Sequence, residues 1–327
     1  MPISDEIRPN ILNDVLGQDH IVKRLNQMVE SNNFNWPHMM FAGPAGVGKT
    51  STAIALMRTA FGASWKENWL ELNASDERSI SVIRTKVKEF ASRGVIGSYT
   101  VDGKEKPIPF NVVFLDEADN LTPDAQAALR RIMEKYSKTI FIISCNYPHK
   151  IIQPIQDRCA FSTSRFKPID DETMKSFCIS FGEKRKCKFT DEALERTIKS
   201  SGGSLRSATN LLQVVTLVPG LVELEDVDDI VQTIKPKEAK KILTSIAKAK
   251  TLDAYRKIDK DIDNLISQGM MPSDILHSIY RLTTIEEKMP DKLRHKILTQ
   301  IGTALHHVSV SQDPALALKC FVRNLTM

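Results

Sequence analysis

The chain has 327 residues, 42% of them hydrophobic and 26% charged, with 45 Lys and Arg against 40 Asp and Glu for a formal net charge of +5. That composition excludes intrinsic disorder and suffices for two or three domains with cores of their own. No apolar run approaches the ~18 residues of a membrane helix, and the opening MPISDEIRPN lacks the apolar stretch of a signal peptide, so the expectation is a soluble cytosolic protein, or a nuclear one if the source is eukaryotic. The five cysteines are an odd number without a C-x-x-C pair, which argues for reduced thiols over a disulfide framework or a zinc site. The mild basic excess suits a nucleic-acid partner without requiring one.

In chain order, HMMFA, NWLELNA, FNVVFLDE and KTIFIISCN read as strands separated by helix-patterned stretches up to about residue 165. Two of them are apolar almost throughout, as central parallel strands buried on both faces must be. An α/β doubly wound sheet is therefore expected. From about Phe166 the strand signal vanishes, and helix-length segments follow, punctuated beyond Pro236 by Pro272, Pro290 and Pro314. The boundaries expected are 1–165 for the α/β domain, 166–234 for a small helical domain and 235–327 for an all-α domain.

Between the first strand and the helix that follows lies GPAGVGKTS: Gly43, Pro44, Ala45, Gly46, Val47, Gly48, Lys49, Thr50 and Ser51. This is G-x-x-x-x-G-K-[ST], in which glycines let successive backbone N–H groups converge on a phosphate. Lys49 adds a point charge, Thr50 offers its hydroxyl to Mg2+, and the helix N-terminus adds positive potential. Downstream, NVVFLDEADN puts Asp116 and Glu117 at the end of an apolar strand, where an open parallel sheet has its ligand crevice. Asp116 would hold Mg2+ through water and Glu117 would orient or deprotonate an attacking water, so the reaction expected is ATP hydrolysis. IISCN ends a further strand in Asn146, within reach of a γ-phosphate if it is not simply a turn residue. Arg206 flanks the apolar stripe Leu205, Ala208, Leu212, Val215, while Arg158 lies far along the chain from the phosphate loop.

Taken together, RPNILNDVLGQD, GPAGVGKTSTAIAL, ELNASDERSISVIRTKVKEFA, FLDEADNLTPDAQAALRRIMEKYSKT, SCNYPHKIIQPIQDRC and GGSLRSATNLLQ resemble, in order, the motifs of the AAA+ ATPases. Within them the resemblance is to the small-subunit family of the replication factor C clamp loader, most like its archaeal form. It implies a P-loop ATPase domain, a helical lid and a helical oligomerising collar. It implies a ring with a large clamp-loader subunit and other small subunits, which opens a PCNA-type sliding clamp and closes it around primer–template DNA. ATP would sit between neighbours, with Arg8, Pro9, Val15 and Gly17 beside the adenine, Asn146 and Arg206 as sensors of the γ-phosphate, and Arg158 as an arginine finger toward the adjacent subunit's ATP. Arg78, Ser79 and Arg84, at the start of the helix striped by Ile80, Ile83, Val87 and Phe90, and Lys150 would meet DNA phosphates.

Arg130 and Arg131 would couple neighbouring sites or form structural salt bridges. Three features depart from the family. Asp157 stands where Ser is usual before the finger, a carboxylate able to pair with Arg158 and weaken or tune it; CAFSTSRF is a longer link than usual; and Glu6-Ile7 replaces a basic residue and Tyr. RGVIGSYTVDGKEKPIPF reads as a surface loop. The alternatives at this stage are another AAA+ DNA-remodelling ATPase and a nucleotide-binding scaffold without turnover.

Overall fold

The apolar runs that mark the N-terminal half all become strands of one sheet. The computed structural model describes residues 8–31, 34–76, 79–101, 103–160, 165–231, 241–246, 251–267, 270–285 and 289–326. In chain order the strands are β1 (His38–Ala42), β2 (Trp69–Asn73), β3 (Ser98–Val101), β4 (Lys104–Pro107), β5 (Asn111–Asp116), β6 (Thr139–Cys145), β7 (Cys159–Ala160), β8 (Cys187–Phe189) and β9 (Gly220–Val222). Five of them form a parallel sheet in the order β2-β5-β6-β1-β7.

Period-2 alternation sorts the side chains of this sheet between two apolar layers. Met39 and Phe41 of β1, Val112 and Phe114 of β5 and Ile140 and Ile142 of β6 face one layer, with Ile54, Leu56, Met57 and Phe61 of the helix Lys49–Phe61. Met40, Val113, Leu115, Phe141 and Ile143 face the other, with Leu129 and Met133 of the helix Pro123–Lys135 and Ile83 and Val87 of the stretch after β2. Each fully buried Phe or Ile contributes roughly 1.5–3 kcal/mol, which is why the central strands read as unbroken apolar runs.

Helix Pro123–Lys135 starts as its sequence predicts: Thr122 Oγ1 accepts the N–H of Ala125 at 3.3 Å, and proline opens the first turn. The predicted stripe after β2 is a helix of α turns at Ile80–Val82 and Lys88–Ser92 around a π segment, Ile83–Val87, where Lys88 N–H reaches back to Ile83 O. Ile83 and Val87 are buried, and Arg84, Lys86 and Lys88 are exposed.

Two expectations need correction. The segment read as a surface loop holds the antiparallel hairpin β3–β4, with Gly103 in the left-handed region at φ 70° between the strands. Tyr99 anchors it by packing edge-on against Phe61 at 5.3 Å, a contact that outweighs the Gly, Pro and charge content of the stretch. Strand structure also persists beyond Phe166 in the parallel pair β8–β9, whose three-residue strands are too short to leave a periodic signal.

The chain divides into two compact units, Met1–Val227 and Asp228–Met327. Besides the sheet, the first contains helices Asp171–Lys184, Asp191–Ser201 and Leu205–Val215, capped by Asp170, Thr190 and Ser204 respectively. The second packs helices Leu252–Ser267, Pro272–Ile285, Asp291–Val310 and Pro314–Thr326 around Ile262, Ile275, Ile279, Ile297 and Leu318. Among the described residues its prolines, Pro272, Pro290 and Pro314, sit where helices begin, consistent with their reading as punctuation. The link residues 161–164, which belong to the long CAFSTSRF segment, lie outside the described residues, as do Glu6 and Ile7.

Candidate nucleotide-binding site

Parallel register brings the chemistry to one rim. Ala42 pairs with Cys145 and Asn73 with Asp116, so the loop after β1, the acidic pair ending β5 and Asn146 after β6 leave the sheet side by side. Gly43 N–H fixes the first step of the loop on Cys145 O at 3.2 Å. Gly46 has φ 78°, and a Cβ there would lie 2.1 Å from Ser204 Oγ, so both backbone angle and close approach require glycine. Gly43 needs only the second reason: its φ is not positive, but a Cβ would meet Phe166 O at 2.5 Å.

Lys49 is only 8% exposed, and its three ammonium N–H groups have three acceptors: Gly43 O at 2.8 Å, Pro44 O at 2.7 Å and Asn146 Oδ1 at 2.8 Å. Burial pulls its pKa below the ordinary lysine value, Arg206 adds to that, and the carboxylates of Asp116 and Asp119 oppose it. Thr50 Oγ1 donates to Asp116 Oδ2 at 2.7 Å, and Asp116 Oδ1 accepts the N–H of Glu117 at 3.0 Å. Hydroxyl and carboxylate oxygens side by side next to the buried lysine are hard donors of the kind Mg2+ takes, so these residues fit that ion.

Glu117 adopts the left-handed conformation, φ 52° and ψ 39°, uncommon for a residue with a side chain and concentrated at functional sites. Its carboxylate accepts a hydrogen bond from Ser75 Oγ, which in turn accepts from Asn120 Nδ2 at 2.8 Å. The sequence reading missed Ser75, which is 42 residues from Glu117. The pairing of Asn73 with Asp116 brings the two together.

The cleft on this rim has a volume of about 300 Å³. Ala45, Gly46, Gly48, Lys49, Thr50, Ser51, Asp116, Glu117 and Asn146 line it, and so do Arg8, Pro9 and Val15. Arg206 reaches it because Leu205 N–H, at the start of its helix, donates to Gly46 O at 3.0 Å. Leu16, Phe177, Thr209 and Asn210 join the lining without having been foreseen. Gly43 and Pro44 border a neighbouring hollow with Tyr147 and Arg165. Val47 is buried in the core, and Gly17 packs against Ile169. The wholly buried Gln18, also missed, links three segments: its Nε2 donates to Lys167 O at 2.8 Å and Val47 O at 3.4 Å, and its Oε1 accepts from Lys167 N at 3.2 Å.

Arg158 does not line the cleft. Its guanidinium pairs with Glu134 and donates to Pro154 O at 2.5 Å. The pairing open to Asp157 is not the one it makes: Asp157 Oδ1 accepts from Gln153 Nε2 at 2.7 Å, one turn back on the same face. Arg130 Nε lies 3.7 Å from the same Glu134 carboxylate. Of the DNA candidates, Ser79, Arg84 and Lys150 are exposed, Lys150 Nζ lies 4.8 Å from the Tyr147 ring centre, and Arg78 is outside the described residues. No helix among the described residues is long and apolar enough to cross a membrane.

Residues 39–165 match the model of the ATPase family associated with various cellular activities (AAA), and residues 225–322 that of the replication factor C C-terminal domain. The replication factor C small subunit of Archaeoglobus fulgidus is 39% identical over 98% of this chain and 96% of its own. That of Aeropyrum pernix is 40% identical over 99% and 95%. Among solved structures, the Thermotoga maritima RuvB Holliday junction branch migration motor aligns with a TM-score of 0.53 at 16% identity over 74% of this chain and 80% of that one, a likeness of fold. The chain thus carries an AAA ATPase domain, and it belongs to the small-subunit family of the replication factor C clamp loader.

Proposed function

We propose that the chain hydrolyses ATP at an interface with a neighbouring subunit and couples that hydrolysis to loading a sliding clamp onto primer–template DNA. The observation that carries the reading is the pair of contacts Lys49–Asn146 and Thr50–Asp116, which join phosphate loop, acidic strand end and third strand end within one cleft. An entering triphosphate exchanges with the carbonyl acceptors of Lys49 and takes backbone N–H groups of residues 43–51. Thr50 and Asp116 hold Mg2+, which neutralises developing phosphate charge when bound. Glu117 orients or deprotonates the attacking water, Asn146 and Arg206 contact the γ-phosphate, and Arg8, Pro9, Val15 and Gly17 flank the adenine.

Arg158 completes the site of the neighbouring subunit. Its position outside the lining of its own cleft supports this, since an arginine turned away from the local site is available to an adjacent one. Arg78, Ser79, Arg84 and Lys150 contact DNA phosphates, so binding is sequence-independent and weakens with salt. The three-part division, 1–165 as ATPase domain, 166–234 as lid and 235–327 as collar, belongs to this proposal, as do the partners: a large subunit, other small subunits and a PCNA-type clamp. The test is steady-state ATP hydrolysis by the chain assembled with its partner subunits, with and without primer–template DNA and clamp. Strong stimulation that needs both is expected; turnover indifferent to the clamp would overturn the reading.

A further inference from the structure

Of the acids in the stretch DEAD, Asp119 has no part in the chemistry assigned above. It occupies the 3-10 turn Ala118–Asn120 and is 8% exposed, an unfavourable place for a carboxylate unless strong donors meet it. Two do. Oδ1 accepts the backbone N–H of Asn146 at 3.2 Å, and Oδ2 accepts that of Tyr147 at 3.2 Å. β6 ends at Cys145, so these are the first two N–H groups beyond the ladder, and the carboxylate takes over where strand pairing stops.

The consequence reaches the phosphate. With its backbone held on one side by Asp119, Asn146 turns its side chain to the other, where Oδ1 accepts from Lys49 Nζ at 2.8 Å. We propose that Asp119 is a positioning residue for ATP hydrolysis, fixing the Asn146 backbone so that its amide stays registered to Lys49 and to the γ-phosphate. This rests on the reading of Asn146 as a γ-phosphate contact. An ionised carboxylate suits the task because it only accepts, and asparagine would turn an NH2 toward one of the two N–H groups. The Asp119 charge also favours the ammonium form of Lys49, working in the same direction as the geometry.

The experiment is a double-mutant cycle on the assembled complex, with Asp119→Asn, Asn146→Ala and the pair. Its readouts are kcat for ATP, affinity of the chain for a fluorescent ATP analogue, and thermal unfolding. We expect Asp119→Asn to lower kcat about 10-fold while analogue affinity stays within about 3-fold. Adding it to Asn146→Ala should cost nothing further. Costs that multiply in the double variant, or a drop in unfolding temperature with kcat unchanged, would overturn the proposal, because a merely structural role acts equally in both backgrounds. If Asn146→Ala slows turnover and Asp119→Asn does not, this inference alone fails; if Asn146→Ala has no effect, the reading of Asn146 fails and the inference with it. Should Asp119→Asn not fold, Asp119→Ser, with one hydroxyl acceptor, enters the same cycle and is held to the same outcomes.

Discussion

The rim of the sheet and the turn before the edge strand β7 carry two of the cations of the proposed catalytic unit, Lys49 and Arg158, and they hold them differently. Lys49 is nearly sealed, and two of its three acceptors are carbonyls of its own phosphate loop. Arg158 is over a third exposed, and its side-chain partner Glu134 is equally so. A buried cation gripped by the carbonyls of its own loop is preorganised for a ligand the chain binds alone. One paired at the surface, where ion pairs contribute about 0–1 kcal/mol, is cheaply released to another subunit. The contrast argues that half of the machine is complete within the chain and half waits for a neighbour.

The comparison breaks first at Lys49. Lys49→Ala removes three charge-assisted hydrogen bonds and should weaken ATP binding by about 100-fold or more, measured by titration of the isolated chain. Retained affinity would mean that the buried cation is only a fold element. A smaller effect is expected at Glu134. Glu134→Gln should leave ATP affinity unchanged and alter turnover of the assembled complex by less than about 5-fold, because only a surface pair is lost. A much larger loss would show that Glu134 aims the finger.

The smallest effect concerns the backbone behind Arg158. Burial pushes the thiol of Cys159 up to about 12, as it does those of Cys145 and Cys178, whereas Cys320 is exposed. A thiolate-selective reagent at pH 8 should therefore label about one cysteine in the native chain and all five once unfolded. Rapid labelling of Cys159 would show that the edge strand itself opens, and not merely the arginine side chain.

Legibility followed the range of the forces involved. The phosphate loop was readable because its glycines answer to local demands, and the strands because two-sided burial writes continuous apolar runs. Ser75, Asp119 and Gln18 were not, since each acts through contacts 27 to 149 residues away that exist only once strand order is set. Composition misled at β3–β4, where Tyr99 and its aromatic neighbours decide the structure against Gly103, Pro107 and the charges between. It misled again at Asp157, where adjacency to Arg158 suggested a pair that helical geometry gives to Gln153 instead. Sequence neighbours on one helical turn point apart, whereas residues four apart meet.

The measurement that tests the central claim most directly is turnover and ATP affinity of the assembled complex carrying Arg158→Ala. The account predicts ATP affinity of the variant chain within about 3-fold of the original and a kcat lower by about 1,000-fold or more, as for removal of an arginine that stabilises phosphoryl transfer from a neighbouring subunit. Unchanged kcat, or a loss of ATP binding by the isolated variant chain, would contradict it.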